Sequence, residues 1–373
     1  MNFKIAKTEL MNALSLSTRA LSSTTPLPIL NGILFKLNED SLTLISSDSN
    51  ISIKKVINKS DNSTLIIDET GEVVIDGKFI LEAVRKIDND LINVEIIDGN
   101  LIKISGGKTE FKLNGMNADN YPNISFDTSN GQQINLETSI LNNIINETAF
   151  ACSDKETKPA LTGVNLAAEN NKLRVVATDS YRLATKTIDL DNSISFNITI
   201  PAKYLSEVYH SLSNEKEITI SIDRQKISFL FNDTIIETRL IDDEYPDTTR
   251  LIPNDFARKL VVSSKKLLNA LERSSFIKAD GKNIVKLDIN SDRIHLTTSN
   301  QEGFSSFDEI DVIEFNAEPL EISCHGIYLH DAIKAINSDE INILFNDDTK
   351  PFIVKKDEDD SLIQLISPYR TYR

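Results

Sequence analysis

Cysteine is nearly missing from this sequence. Cys152 and Cys324 are the only two among 373 residues, far apart and in no C-x-x-C pair. That excludes a disulfide-stapled scaffold and a Cys-based zinc site, and it fits two reduced thiols in a cytoplasmic protein. Tryptophan is absent, and aromatics are few. No stretch approaches the ~20 apolar residues that a membrane span needs. The start, MNFKIAKTEL, has no basic region followed by an apolar core, so no secretory leader is expected. Positive charge is also short, with 40 Lys and Arg against 56 Asp and Glu and a net charge of −16. Taken as a total, that argues against a tight grip on phosphates and for solubility or basic partners.

Catalytic and metal signatures are likewise missing. Gly107-Lys108-Thr109 looks like the end of a phosphate loop, but Ile102 stands where another glycine is needed. Phe111 and Leu113 then alternate as in a strand, so the segment reads as a Gly-Gly hairpin turn. His325 and His330 are five apart and do not share a helical face, and His210 and His295 stand alone. Acid pairs such as Asp242-Asp243 fall in turn-like stretches. Neither a Ser/His/Asp set, a metal nor a cofactor is implied, and no enzyme is expected.

What is present is repetition. Leu30-x-Gly32 followed by LTLISSDSNIS (42–52) matches Leu161-x-Gly163 followed by LRVVATDSYRLA (173–184), 131 residues later without a gap. Asp48 falls on Asp179. A weaker third copy is IHLTTSNQEGF (294–304). A helical echo runs Phe79, Ile80, Ala83, Val84, Ile87, then Tyr204, Leu205, Val208, Tyr209, Leu212, then Tyr328, Leu329, Ala332, Ile333, Ile336. That spacing is one face of an α-helix. Another runs Leu10, Met11, Leu14, then Ile140, Leu141, Ile144, then Leu267, Leu268, Leu271. Three landmarks in one order at one period mean triplication of a whole domain, since the period is too long for a solenoid unit.

Each copy reads as strand, helix, hairpin strands, strand, helix and further strands. Segments such as KISFLF and LIKIS alternate as half-buried antiparallel strands do. The fold class is therefore α+β: three tandem copies of one two-helix, antiparallel-sheet domain. NADNYPNI (117–124) and DDEYPDTT (242–249) mark joints, which places the domains at 1–124, 125–252 and 253–373. Head-to-tail copies generate curvature, and two such chains can close a six-domain ring. The six helical segments sum to zero charge, so the acidic excess lies outside them. A neutral lining with an acidic exterior suits a ring that slides on DNA. The rival class is an acidic three-domain cytoplasmic binding scaffold with no DNA function.

Leu-Pro-Ile-Leu-x-Gly (27–32), Ala-Thr-Asp-x-x-Arg-Leu-Ala (177–184), Tyr-Pro-Asp (245–247) and Pro-x-Arg (368–370) together resemble the bacterial sliding clamp, the β subunit of DNA polymerase III, along the whole chain. The resemblance implies a replicative processivity factor that is not an enzyme. It implies a homodimeric ring, helices lining the hole, around duplex DNA held without regard to sequence. Its partners would be the polymerase III catalytic subunit, a clamp loader and other proteins with a clamp-binding motif. It further implies one partner-peptide pocket per chain. Leu161, Thr178, Leu183, Pro246, Leu251 and Leu365 would form an apolar subsite, with Ser180, Tyr181, Arg182, His325, Tyr328, Thr349, Ser367, Pro368, Tyr369 and Arg370 around a second. Ser367 replaces a larger apolar residue of the family, and Thr24 stands where some clamps have a DNA-facing arginine. Lys78 and Lys203 match basic positions near the hole, whereas the third copy has Ile327. Phe111 and Leu113 would meet Phe276 and Ile277 of a second copy at the dimer seam. Arg373 extends past the usual Thr-Tyr end.

Overall fold

The computed structural model describes residues 1–22, 24–25, 27–60, 63–191, 194–212 and 215–370. Thr371, Tyr372 and the Arg373 extension lie outside the described residues. The first repeat holds β1 (Asn2–Ala6), α1 (Lys7–Ser17), β2 (Gly32–Leu37), β3 (Ser41–Ser47), β4 (Ile51–Asn58), β5 (Ile66–Glu69), β6 (Gly71–Asp76), α2 (Gly77–Lys86), β7 (Leu91–Asp98), β8 (Leu101–Gly106) and β9 (Thr109–Asn114). The second holds β10 (Gln132–Glu137), α3 (Thr138–Thr148), β11 (Gly163–Glu169), β12 (Lys172–Thr178), β13 (Arg182–Asp189), β14 (Phe196–Pro201), α4 (Ala202–Ser211), β15 (Glu217–Ile222), β16 (Lys226–Phe231) and β17 (Thr234–Arg239). The third holds β18 (Arg258–Ser263), α5 (Ser264–Ser274), β19 (Ile284–Ile289), β20 (Arg293–Ser299), β21 (Ser305–Phe315), β22 (Leu320–His325), α6 (Gly326–Ile336), β23 (Glu340–Phe345), β24 (Phe352–Lys355) and β25 (Leu362–Ile366).

The order βαββββαβββ thus occurs three times, and the first copy differs only where its fifth strand is broken into β5 and β6. The break lets one chain segment serve two sheets: β5 pairs with β1, and β6 pairs with β2. The pattern from Tyr328 to Ile336 lies wholly within α6, whereas those from Phe79 and Tyr204 run one residue past α2 and α4, to Ile87 and Leu212.

The chain forms two compact units that do not follow the repeats. One unit comprises residues 1–140 and 207–240. It carries a five-stranded sheet, β5-β1-β7-β8-β9, and an eight-stranded sheet, β10-β15-β16-β17-β4-β3-β2-β6. The second sheet crosses a repeat boundary because β17 pairs with β4, for example Ile236 with Ile53. Inward residues of both sheets, such as Phe3, Phe35, Val73 and Ile104, share a core with Leu10, Leu14, Ile80 and Val84 of α1 and α2. The Gly107 turn joins β8 to β9 as a hairpin with φ +59°, and no helix follows it.

The other unit comprises residues 141–206 and 241–373. Its twelve-stranded sheet runs β14-β11-β12-β13-β25-β24-β23-β18-β21-β20-β19-β22, and here β13 of the second repeat pairs with β25 of the third. Leu267, Leu271, Leu329 and Ile333 of α5 and α6 pack on its inner residues, including Phe315, Phe345 and Phe352. A satellite core of Val176, Leu183, Ile353 and Leu365 sits where the two repeats share strands.

The first residue of the helical echo, an aromatic in every copy, sits at the edge of the core: Phe79 is 42% exposed, Tyr204 is half-buried, and Tyr328 is half-buried and packs against the core. Each lies in the first turn of its helix, at the margin of the apolar face.

Candidate functional site: a turn built twice and specialised once

The recurring Thr/Ser-Asp-Ser turn has one geometry in the first two repeats. In the second, Asp179 Oδ1 accepts from the Tyr181 and Arg182 amides at 2.8 and 3.0 Å. The Thr178 hydroxyl donates to the Arg182 carbonyl at 2.6 Å and accepts from the Ser180 amide at 3.1 Å. In the first, Asp48 Oδ1 accepts from the Asn50 and Ile51 amides, both at 2.9 Å. There the Ser47 hydroxyl donates to the Ile51 carbonyl and accepts from the Ser49 amide. Ser49 and Ser180 both take positive φ, 81° and 79°. Asp supplies this side-chain turn cheaply, which is why it recurs at 48 and 179. The Leu-x-Gly echo has a steric cause as well: a Cβ on Gly163 would lie 2.7 Å from the Ile200 carbonyl oxygen.

The two turns differ in what they display. Tyr181 is 61% exposed, whereas the Arg182 side chain is only 14% exposed. The Arg182 guanidinium pairs with Asp179 at 3.1 Å and with Asp331 of α6 at 2.8 Å. Its carbon lies 4.5 Å from the Tyr328 ring centre and 5.4 Å from that of Phe150, within cation–π range. The His325 ring stacks near Tyr328 at 4.6 Å and meets the edge of Tyr369 at 5.5 Å. Burial, aided by the Lys282 and Arg182 charges, holds the His325 pKa below its ordinary value. Burial raises the Tyr328 phenol, and neighbouring Asp179 raises it further. The tail is anchored alongside: the Ser367 amide donates to the Tyr181 carbonyl at 2.9 Å, and the Tyr369 amide to the Ser323 carbonyl at 2.7 Å.

Most of the sixteen expected pocket residues converge here, with a clear division. Leu161, Thr178, Leu183 and Leu365 are buried, and Leu183, opposite Leu365 across β13 and β25, forms with it part of an apolar floor. Tyr245 packs on that floor, and Pro246 and Leu251 beside it are exposed. Ser180, Tyr181 and Arg370 are exposed, Tyr369 is 36% exposed, and Ser367 and Pro368 are half-buried. Thr349 is held in its own turn by Asp347, whose carboxylate takes its amide and hydroxyl. Asp179, Asp331, Phe150 and Lys282 contribute contacts that motif reading missed. Asp331 had a signal, since it lies one helical turn beyond Tyr328.

The remaining candidates lie elsewhere. Lys78, Lys203 and Ile327 are each the second residue of the second helix of their repeats, and all three are exposed. Lys203 Nζ lies 5.4 Å from the Tyr204 ring centre. Thr24 is exposed. Phe111 and Leu113 are half-buried on β9, an edge strand of the five-stranded sheet. Phe276 is 75% exposed, but Ile277 is only 3% exposed and belongs to the interior. Asn283 explains this: its amide donates at 2.9 Å to the carbonyls of Ser274 and Ile277, tucking Ile277 in and turning Phe276 out. Among the described residues no group of three His, Cys, Asp or Glu side chains could hold a metal. No described helix is long and apolar enough to cross a membrane.

Comparison with known proteins covers the whole chain. Residues 1–125 match the N-terminal domain of the DNA polymerase III beta subunit, 135–247 its central domain and 249–370 its C-terminal domain. The beta sliding clamp of Bacillus subtilis is 35% identical over 379 residues, covering all of both chains. That of Staphylococcus aureus is 36% identical over 377 residues, again with full coverage of both. The crystal structure of the Bacillus subtilis DNA polymerase sliding clamp superposes with a TM-score of 0.94 at 34% identity, covering both chains fully. The Streptococcus pneumoniae DNA polymerase III beta chain gives 0.93 at 32% identity, covering 99% of this chain and 100% of that one. The chain belongs to the DNA polymerase III beta subunit family, the bacterial sliding clamps.

Proposed function

We propose that two copies of this chain close head to tail as a six-domain ring around duplex DNA and act as a replicative sliding clamp. The protein tethers the DNA polymerase III catalytic subunit and other proteins that carry a clamp-binding motif, and a clamp loader opens it. Processivity then comes from enclosure, with no catalytic step and no cofactor, in the cytoplasm. The observation that carries this reading is the threefold βαββββαβββ order, matched end to end by the three family domains.

The domains divide at 1–124, 125–252 and 253–373. The surface around Arg182, Tyr328, His325 and the Ser367–Arg370 tail is the partner-peptide pocket. Its floor of Leu161, Leu183 and Leu365 accepts an apolar anchor beside Leu251 and Pro246, and the polar groups fix the peptide backbone. Ser367 leaves room at the second subsite, and Tyr369, held against His325, covers it. Lys78 and Lys203 face the DNA as weak, sliding-compatible contacts. At the dimer seam β9 brings Phe111 and Leu113 to the Phe276 surface of the second copy, with Ile277 supporting that surface from within. A seam of this kind also satisfies the open edge of β9, which otherwise invites aggregation. The test is solution scattering on the full chain. A hollow dimer is expected; a solid or linear monomer would establish the scaffold reading instead.

A further inference from the structure

The junction between the first two repeats reproduces the pocket geometry with different chemistry. Ser52 pairs with Glu237 across β4 and β17, as Leu183 pairs with Leu365 across β13 and β25. The Arg239 amide donates to the Asn50 carbonyl at 3.1 Å, as the Ser367 amide does to the Tyr181 carbonyl at 2.9 Å. Leu30 stands for Leu161, and Tyr121-Pro122 stands for Tyr245-Pro246. A cavity of about 280 Å³ lies there, lined in part by Leu27, Leu30, Asn50, Ile124, Glu237 and Arg239. Its apolar floor has become polar, and where the second pocket has Ser367 this one has a guanidinium.

Charge within this cavity is unbalanced in one direction. Glu237 is already paired with Lys226 at 2.8 Å, and it accepts a hydrogen bond from the Ser228 hydroxyl at 3.2 Å. Arg239 is exposed, and its guanidinium has no ion pair or hydrogen bond to any described residue. An unpaired guanidinium beside an exposed Leu27 and a half-buried Ile124 is complementary to a carboxylate next to an apolar group. We propose that this cavity is a second partner site, which takes an acidic peptide segment: a carboxylate on Arg239 and a neighbouring aliphatic side chain against Leu27 and Ile124. The inference stands on the internal repeat and goes beyond the Arg182 pocket.

The test titrates the isotope-labelled full chain with acetyl-Leu-Asp-amide, acetyl-Leu-Asn-amide and inorganic phosphate, following the amides of residues 47–52 and 237–239. The acidic peptide is expected to bind about tenfold tighter than its amide twin, the effect of one charge-assisted contact. Arg239→Ala and Arg239→Glu should erase that preference, and Arg239→Lys should reduce it. Arg182→Ala, which disables the other pocket, should leave it intact, so the two readings fail separately. Equal binding of acid and amide, binding of neither, displacement of the peptide by equimolar phosphate, or shifts centred on 178–183 would each overturn the proposal.

Discussion

Arg182→Ala removes more than a pocket wall. The arginine is 14% exposed, and its partners Asp179 and Asp331 are 13% and 25% exposed. Truncation leaves two largely sheltered carboxylates without their counter-charge and removes a cation over Tyr328 at 4.5 Å. Breaking a fully buried pair costs about 3–5 kcal/mol and an exposed one about 0–1 kcal/mol, so this partly solvated site should lose about 2 kcal/mol. The cation–π contact adds about 0.5–1 kcal/mol. The thermal transition should fall by about 5–12 °C, at about 2–4 °C per kcal/mol for a unit of this size. Loss of a charged hydrogen-bonding group in the pocket should also weaken a fluorescent peptide with a Leu-Phe anchor about 10- to 100-fold, read by anisotropy. Arg182→Lys keeps the charge but not the planar fork and should recover only part of either quantity. Adding Asp331→Asn to Arg182→Ala should restore stability without restoring peptide affinity. A single variant that melts with the parent and binds the peptide equally would refute the reasoning, because it would make the two ion pairs and the pocket energetically silent.

Three other predictions concern burial and assembly. Burial pushes the Cys152 and Cys324 thiols up to about 12, so both should resist iodoacetamide at pH 8 in the native chain and react once it is unfolded in urea. Their raised values mean a contribution to stability that is complete below the unfolded thiol value near 9 and is lost as pH rises from there towards 12; Cys324→Ala should flatten that loss in urea titrations. Phe276 presents a ring that is 75% exposed, and Phe276→Asp should weaken self-association about 10- to 100-fold by sedimentation, from a lost burial of about 1.5–3 kcal/mol.

Local signals in the sequence carried far. The 131-residue offset laid Asp48 on Asp179, and both close the same side-chain turn. Leu30-x-Gly32 and Leu161-x-Gly163 mark strand starts where a side chain would strike a neighbour. The glycine pair at 106–107 reads as a hairpin because the apolar alternation continues after it, and the chain folds so. Long-range choices were not legible. That β17 would join β4 and β13 would join β25 depends on pairing between repeats, and no local pattern encodes it. For the same reason the contact of Arg182 with Phe150 was invisible, and its partner Asp331 on α6 was marked only by its spacing from Tyr328. Ile277 looks like half of an exposed apolar pair, and only the Asn283 hydrogen bonds reveal that it turns inward. The aromatic at the head of each second helix fits the apolar period but lies at the margin of the apolar face, since periodicity does not distinguish that margin from the centre.

Enclosure is tested most directly by the lifetime of the labelled protein on a plasmid after loading, compared before and after a single restriction cut. Long retention on the closed circle, rapid loss from the cut DNA and restored retention when both ends are capped by a bulky block are the expected results. Equal retention on linear DNA with free ends would contradict a topological hold and point to ordinary binding of the duplex.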